Sequence, residues 1–497
     1  MLKIFFVSAE VYPFTKSAGL GDVSGALPKY LKTLGHDVRV MMPNYRLVNE
    51  RKYVLRDVIR LQGLRIDLGE RVFEAKAKSA FIPDSKVQVY FLDNKHFFDR
   101  NGLYHDPKTG KAFADNAERY FFFAKGCLET LKLLYWQPDI IHCNDWHTAM
   151  IPVLLKTVYK DDDFFENTKT LFSVHNFSDV GCFTRSVLED VGFSDCVLET
   201  ANANGEVSFL QLGIQYADLL STVSESYLDA VRRRFAGNDA IGSWLETRVA
   251  DFVTVRNGID DVLWNPETDK LLPFNFTRRN LAGKYKNKEQ LQTQFELTVR
   301  EDVPIVCCTG AVQGASEGAV LLDSVERLLG LDLQVMILGP VSEPYQKKLL
   351  SLKQKAPQKL GLQLSSDPNA THLIVAGSDF YLMPWYSEAS ELYQLYGQAY
   401  GTIPIVYNPD ATEGTVQPFD AETQQGTGFV FAEAQPDSLL QAVKQALQVY
   451  GTRELRHRLI QNTMKQNFSW KSSVRNYIKL YQKLATVKNS RKKPVGV

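Results

Sequence analysis

The sequence predicts an α/β chain built as two doubly wound domains, and three observations carry that expectation. Short apolar runs alternate with amphipathic runs along almost the whole length, the pattern of parallel strands joined by helices. The alternation breaks once, over residues 257–303, which are turn-rich and then polar and Lys-rich. At 497 residues the chain is longer than one ordinary core.

The opening is the most informative stretch. An apolar strand over residues 3–8 enters a loop holding Lys16, Ala18, Gly19 and Gly21. An amphipathic helix over 21–35 follows, with Leu27, Tyr30, Leu31 and Leu34 on one face, and then a strand over 37–42. Such a strand-to-helix turn presents backbone N–H groups where an anion can sit. A dinucleotide fingerprint is excluded on two counts. Gly19-x-Gly21 is followed by Ser24 instead of a third glycine, and the second strand ends Met42-Pro43 without an acidic residue for a ribose. Two readings of the loop stay open: a tight turn with a solvated Lys16, or a phosphate or sugar-nucleotide site.

Further strands are expected at 87–92, 138–142, 170–175, 219–223 and 252–255, and helices at 114–134, 147–159, 206–216 and 225–234. Residues 44–86 read as an insertion of shorter, more polar strands. In the second half, strands fall at 304–309, 333–338, 361–364, 379–383, 403–407 and 428–431, with helices at 317–329, 343–355, 369–376, 389–400 and 436–450. A hinge is expected near 258–268. Ligands of such folds bind in loops at the carboxyl ends of strands, here in a cleft between the two domains.

Composition narrows the function classes. Lys plus Arg (57) equals Asp plus Glu (57), so no global field points to nucleic acid or to a membrane surface. The one basic cluster is the tail, Lys488 to Lys493. The N-terminus lacks the form of a signal peptide and no run approaches a membrane span, so a cytoplasmic protein with six reduced, buried cysteines is expected. Cys307 and Cys308 are adjacent in a strand and should face opposite sides.

The strand-end loops hold the candidate chemistry. His142-Cys143-Asn144-Asp145-Trp146-His147 reads in two ways: Asp145 or Asn144 caps the next helix, or Asp145 accepts hydroxyl hydrogens while Trp146 packs on a sugar face. A metal site at His142 and His147 is disfavoured, since no third ligand is near. His175, at a strand end, is either a hydrogen-bonded core residue or a site residue. Asn257-Gly258 is either a turn or part of the cleft. Glu388 either starts a helix favourably or faces a sugar.

Together these loops resemble the bacterial glycogen synthases and plant starch synthases, over nearly the whole chain. The family's K-[TV]-G-G-L-A-D-V stands here as Lys16 to Val23, and its H-x-H-D-W-H as His142 to His147. Its T-I-H-N appears as Ser173 to Asn176 and its A-D-x-x-T-V-S-x-x-Y as Ala217 to Tyr227. N-G-I-D-x-x-x-W-N-P-x-T-D is intact from Asn257 to Asp269, and F-S-W-x-x-S from Phe468 to Ser473. The resemblance implies the GT-B architecture of two Rossmann-like domains facing across a cleft. Their expected spans are 1–263 and 264–468, with 469–497 a helix returning to the first domain and a basic tail. It implies a retaining glucosyltransferase, without cofactor or metal, that extends α-1,4-glucan (glycogen) chains from ADP-glucose. Lys16 and Gly19 would contact the diphosphate. Asp22, Asp145, His175 and Asn257 would line the glucose site. Glu388 falls at the family's essential glutamate, and Glu388 and His175 are the expected catalytic pair.

The departures cluster. Where the family carries R-L-x-x-Q-K-G, this chain reads Gly310 to Gly318, with Ala311 at the Arg position and Ser316, or Glu317 if shifted by one, at the Lys position. Pro-Cys-Gly after the glutamate is Ala389-Ser390-Glu391, the later T-G-G-L is Pro409 to Thr412, and the first loop's leading glycine is Ala18. A diphosphate leaving group gathers negative charge, and removing one stabilising group costs about 10²–10³ in rate. The expectation is a synthase of reduced activity. The alternatives are a weak or inactive homologue that binds glucan or partners an active synthase, and a transferase using another donor.

Overall fold

The computed structural model describes every residue except 18, 108, 194–203, 236–239, 310–314, 340, 342, 366, 386–387, 409–413, 434 and 487–497. For residues 226, 230, 234, 240, 241, 243, 309, 315–317 and 388–390 it describes the backbone alone. The chain forms two units. One comprises Met1–Gly258 with Trp470–Val497, the other Ile259–Ser469.

The first unit is built on one sheet. Its strands run in the spatial order Phe252–Thr254, Leu219–Thr222, Lys169–Val174, Ile140–Asn144, Lys3–Val7, Asp37–Pro43, Gln88–Asp93, Arg71–Phe81, Arg56–Asp57. From Phe252–Thr254 through Gln88–Asp93 all pairings are parallel. Arg71–Phe81 pairs antiparallel with Gln88–Asp93, with Arg56–Asp57 and with Leu64–Leu68, so the insertion over 44–86 lengthens the sheet at one edge. Ile4 to Val7 are fully buried, as a central parallel strand covered on both faces requires.

The first helix spans Gly19–Thr33 and buries Leu20, Val23, Leu27 and Leu31. Leu34, expected on that face, lies past the helix end and is exposed; Tyr30 is half-buried. Gly25 is needed for a close approach, because a Cβ there would lie 2.4 Å from the Tyr12 carbonyl oxygen. The strand Ile140–Asn144 starts and ends two residues later than expected, which places Cys143 and Asn144 inside the sheet along with His142.

The helix Trp470–Thr486 belongs to this unit. Trp470, Val474, Tyr477, Tyr481 and Leu484 recur at helical spacing and are buried. Gly258 explains how closely this helix docks: a Cβ there would stand 2.7 Å from Trp470 Cα.

The second unit has a six-stranded parallel sheet in the order Leu360–Gln363, Gln334–Leu338, Ile305–Thr309, Phe380–Met383, Ile403–Tyr407, Phe429–Phe431. Its two faces carry separate hydrophobic clusters, Cys308 in one and Cys307 in the other, as strand alternation demands. The helix Ala282–Gln294 falls in the stretch read as irregular. Its buried face holds Lys284, Asn287, Lys288 and Gln292 beside a single large apolar residue, Leu291, so no apolar period announces it. Lys284 Nζ donates to the carbonyls of Ala376 (3.0 Å) and Ser378 (2.9 Å) and to Thr402 Oγ1 (3.0 Å). Lys288 Nζ pairs with Asp379 at 2.9 Å.

Cys182 is exposed, correcting the expectation of uniformly buried thiols; Cys196 lies outside the described residues. Among the described residues no helix is long and apolar enough to cross a membrane. The basic cluster Lys488 to Lys493 also lies outside them.

Candidate active site

In the first unit the strand order reverses between Lys3–Val7 and Ile140–Asn144: the chain first builds outward to one side, then returns to the other. That topological switch point is where open parallel sheets leave a crevice for ligands. The loops leaving these two strands carry Lys16 and Asp145, and the adjoining strand Lys169–Val174 delivers His175.

Lys16 and Asp22 meet directly, with Nζ 2.6 Å from Oδ2 and both partly exposed. The loop folds back on the helix, where the Tyr12 N–H donates to the Gly21 carbonyl at 2.9 Å. Gly19 starts the helix, and a Cβ at Gly21 would press on the Lys16 side chain at 3.0 Å. Ala18 lies outside the described residues.

Asp145 follows its strand with φ 56, and its side chain does not cap the short helix that follows, correcting the capping reading. Instead Asp145 Oδ1 accepts the backbone N–H of His175 at 2.7 Å and of Asn176 at 3.3 Å. Burial pushes the Asp145 carboxyl up to about 7, against the two amides that favour its ionised form. His175 is buried as well. Asn144 Nδ2 donates to the Val7 carbonyl (2.9 Å), so Asn144 Oδ1 is left to accept from His175 Nε2–H (3.0 Å), which sets the tautomer. Burial lowers the imidazole to about 4, so it stays neutral near pH 7.

Trp146 does not present itself to a sugar. It is buried, stacked on His147 (3.9 Å) and packed on Tyr120, Phe183 and Phe209. An aromatic beside a polar motif reads the same in sequence whether it faces core or ligand. His142 is also a core residue: Nδ1 meets the Tyr481 hydroxyl at 2.7 Å and Nε2 meets Ser173 Oγ at 2.6 Å. Among the described residues no group of three His, Cys, Asp or Glu side chains is placed to hold a metal.

Asn257 is buried beyond the strand Phe252–Thr254, and neither its Oδ1 nor its Nδ2 has a hydrogen-bond partner among the described residues. An amide withheld from water without partners is costly and suits a polar ligand. The far end of its motif serves packing in the second unit. Trp264 lies between the rings of His372 and Tyr396, each 3.8 Å away, and Asp269 accepts from Tyr400 (2.6 Å) and contacts His372 Nδ1 (2.6 Å).

The second unit repeats the topological logic. Its order reverses between Ile305–Thr309 and Phe380–Met383. The chain leaving the first enters residues 310–314, which include Ala311 and lie outside the described residues. The chain leaving the second reaches the helix Glu388–Ala399, whose first residue is Glu388. The side chains of Ser316, Glu317 and Glu388, and residues 409–412, likewise lie outside them.

Sequence reasoning missed Glu10 and Tyr104. The Tyr104 hydroxyl donates to Glu10 Oε1 at 2.6 Å across 94 residues of chain, and only Glu10's place just past the first strand hinted at a role.

Both units are similar to known proteins. A family model described as the starch synthase catalytic domain matches residues 3–246, and one for glycosyl transferases group 1 matches residues 289–466. Glycogen synthases of Chlorobium phaeobacteroides and Chlorobium limicola are each 36% identical to the chain, covering 97% of it and 98% of their own length. The solved catalytic domain of starch synthase IV from Arabidopsis thaliana, bound to ADP and acarbose, is similar at a TM-score of 0.87 and 28% identity, covering 97% of this chain and 99% of that one. Sucrose-phosphate synthase from Thermosynechococcus elongatus shares the fold at a TM-score of 0.58 and 13% identity. Two Rossmann-like units with family motifs at their strand ends, and full-length relatives of one kind, place this chain in the glycogen synthase and starch synthase family of GT-B glycosyltransferases.

Proposed function

We propose that the chain extends α-1,4-glucan (glycogen) by transferring glucose from ADP-glucose with retention. The observation that carries this reading is the switch point of the first unit, where Lys16, Asp145 and His175 follow three adjacent parallel strands and Asp22 stands in the first turn of the helix after the Lys16 loop. Relatives named glycogen synthase and a starch synthase neighbour holding ADP support the same donor and acceptor classes.

In this reading the Lys16 ammonium exchanges the Asp22 carboxylate for the donor diphosphate, and Asp22 is freed to accept a hydroxyl. Asp145, held by the His175 and Asn176 amides, offers its remaining oxygen to the sugar. The buried Asn257 amide gains partners when the donor arrives. His175, neutral and oriented by Asn144, adds no charge to the site, and Glu388 steadies the positive charge that develops on the sugar. Ala311 and Ser316 supply no cation, so stabilisation of the departing diphosphate falls on Lys16 and on helix N-termini.

The test is glucose incorporation into glycogen from labelled ADP-glucose by the purified chain, beside Glu388→Ala. Incorporation by the wild type, abolished in the variant, is expected. Equal traces from both would overturn the synthase reading.

A further inference from the structure

We infer that Glu10 is a positioning residue that presets the Lys16 loop for its anionic donor; this rests on the reading of Lys16 as a diphosphate ligand. Glu10 is 2% exposed, three residues past the strand Lys3–Val7, whose Ile4 to Val7 are fully buried. Its two oxygens are spent on one task. Oε2 accepts the Ser17 backbone N–H, and Oε1 accepts the Ser17 hydroxyl at 2.6 Å and the Tyr104 hydroxyl at 2.6 Å. The Ser17 N–H belongs to the peptide that joins Lys16 to Ser17, so the carboxylate grips the backbone on which Lys16 sits.

The remainder of the loop is tied to the same anchor. Ser8 Oγ donates to the Glu10 carbonyl at 2.8 Å, and Ser24 Oγ, from the first helix, donates to Ser8 Oγ at 2.8 Å. Independently of Glu10, the Tyr53 hydroxyl also holds this loop, donating to the Pro13 carbonyl at 2.7 Å. The Tyr104 ring lies 4.3 Å from His147, two residues past Asp145. One buried carboxylate thereby connects the Lys16 loop to the Asp145 turn through Tyr104.

A carboxylate suits this task better than its amide. Three donors converge on it with charge-assisted bonds, whereas Gln accepts on one oxygen only and, holding the Ser17 N–H there, must turn the Ser17 and Tyr104 hydroxyls round to accept from its NH₂ in weaker neutral bonds. Burying a charge is costly, and the loop recovers that cost only if its geometry matters. Fixing the loop before the donor arrives spares the ordering entropy that each freed residue would otherwise lose on binding.

The test is equilibrium binding of ADP to the full chain by titration calorimetry, with thermal unfolding recorded for every variant. Glu10→Gln is expected to weaken ADP binding about tenfold and Tyr104→Phe, which keeps the ring against His147, about threefold, on the scale of one to two lost charge-assisted hydrogen bonds. In a Lys16→Ala background Glu10→Gln should add almost nothing, because it acts through Lys16. Wild-type affinity in Glu10→Gln, or an equal loss with and without Lys16, would overturn the inference while leaving the donor reading intact. If Glu10→Gln does not fold, wild-type affinity in Tyr104→Phe overturns it. Absence of ADP binding by the wild type would overturn the donor reading, and this inference with it.

Discussion

Asp145 Oδ1 accepts the backbone N–H of His175 at 2.7 Å, joining the ends of two neighbouring strands through a carboxylate that burial raises to about 7 and a histidine that burial lowers to about 4. The two shifts act oppositely on stability. Between about pH 4 and 7 the folded chain keeps a proton on Asp145 that the unfolded chain releases, so Asp145 lowers stability as pH rises through that window. Between about pH 4 and 6.5 the unfolded chain takes a proton on His175 that the folded chain refuses, so His175 raises stability as pH rises. In the wild type the two largely cancel. Relative to wild type, Asp145→Asn should therefore show a steeper rise of the urea midpoint from pH 4.5 to 6.5, and His175→Gln a slope displaced towards a fall over the same range. Parallel profiles for wild type and both variants would show that neither group titrates as its burial implies.

The contact between His142 Nδ1 and the Tyr481 hydroxyl spans 339 residues and ties the C-terminal helix to the sheet of the first unit. Burial keeps His142 neutral, well below its usual range, so an unpaired ring nitrogen would gain no charge to offset its loss. Tyr481→Phe should cost about 1–3 kcal/mol in denaturant unfolding, the penalty for a buried polar atom left alone. A change under about 0.5 kcal/mol, the ordinary scatter of surface substitutions, would mean that apolar packing alone docks the helix.

Lys284 is fully buried, with its ammonium shared among three oxygens, and burial draws its titration down to about 8. Lys284→Met leaves the Ala376 carbonyl without this donor and should destabilise the second unit by about 3 kcal/mol near pH 7. From about pH 8 to 10.5 the unfolded chain holds a proton that folded Lys284 has released, so wild-type stability gains with pH there, and the gap to the variant widens. Urea titrations at pH 7 and pH 9.5 measure both effects. A gap that is constant or shrinks would contradict the burial argument.

Restoring cations near the second unit's switch point tests the account of the leaving group. Ala311→Arg with Ser316→Lys should raise kcat for glucose transfer from ADP-glucose by about 10²-fold, the scale of one or more transition-state charge contacts. Initial-rate kinetics with both substrates varied would measure it, and an unchanged kcat would show that the diphosphate is stabilised elsewhere.

Much of the architecture was legible because parallel α/β folds write themselves locally. The run Ile4 to Val7 is the continuous apolar stretch of a strand covered on both faces, and the alternation around Cys307 and Cys308 and the apolar stripe of the last helix follow from periods of 2 and 3.6. The helix Ala282–Gln294 escaped because, Leu291 apart, the side chains it buries are the polar Lys284, Asn287, Lys288 and Gln292, and Lys284 and Gln292 find partners 92 and 42 residues away. Trp146 was misread for a related reason: a residue two positions past a strand end turns inward or outward according to what stands above it, and here Tyr120, Phe183 and Phe209 surround it.

By itself the sequence determined the fold class and the family, and it identified which strand-end loops carry Lys16, Asp145, His175, Asn257 and Glu388, since strand period, turn residues and motif spacing are all local properties. Only the tertiary structure decided what each polar group does inside the fold. It gave the Asp145 carboxylate to the His175 amide instead of a helix cap, Gly258 to the close approach of Trp470 instead of a turn, and Glu10 to Ser17 and Tyr104. The physical reason is that a buried polar atom must find its partner wherever the fold brings one, and those partners lie 30, 94 or 339 residues away.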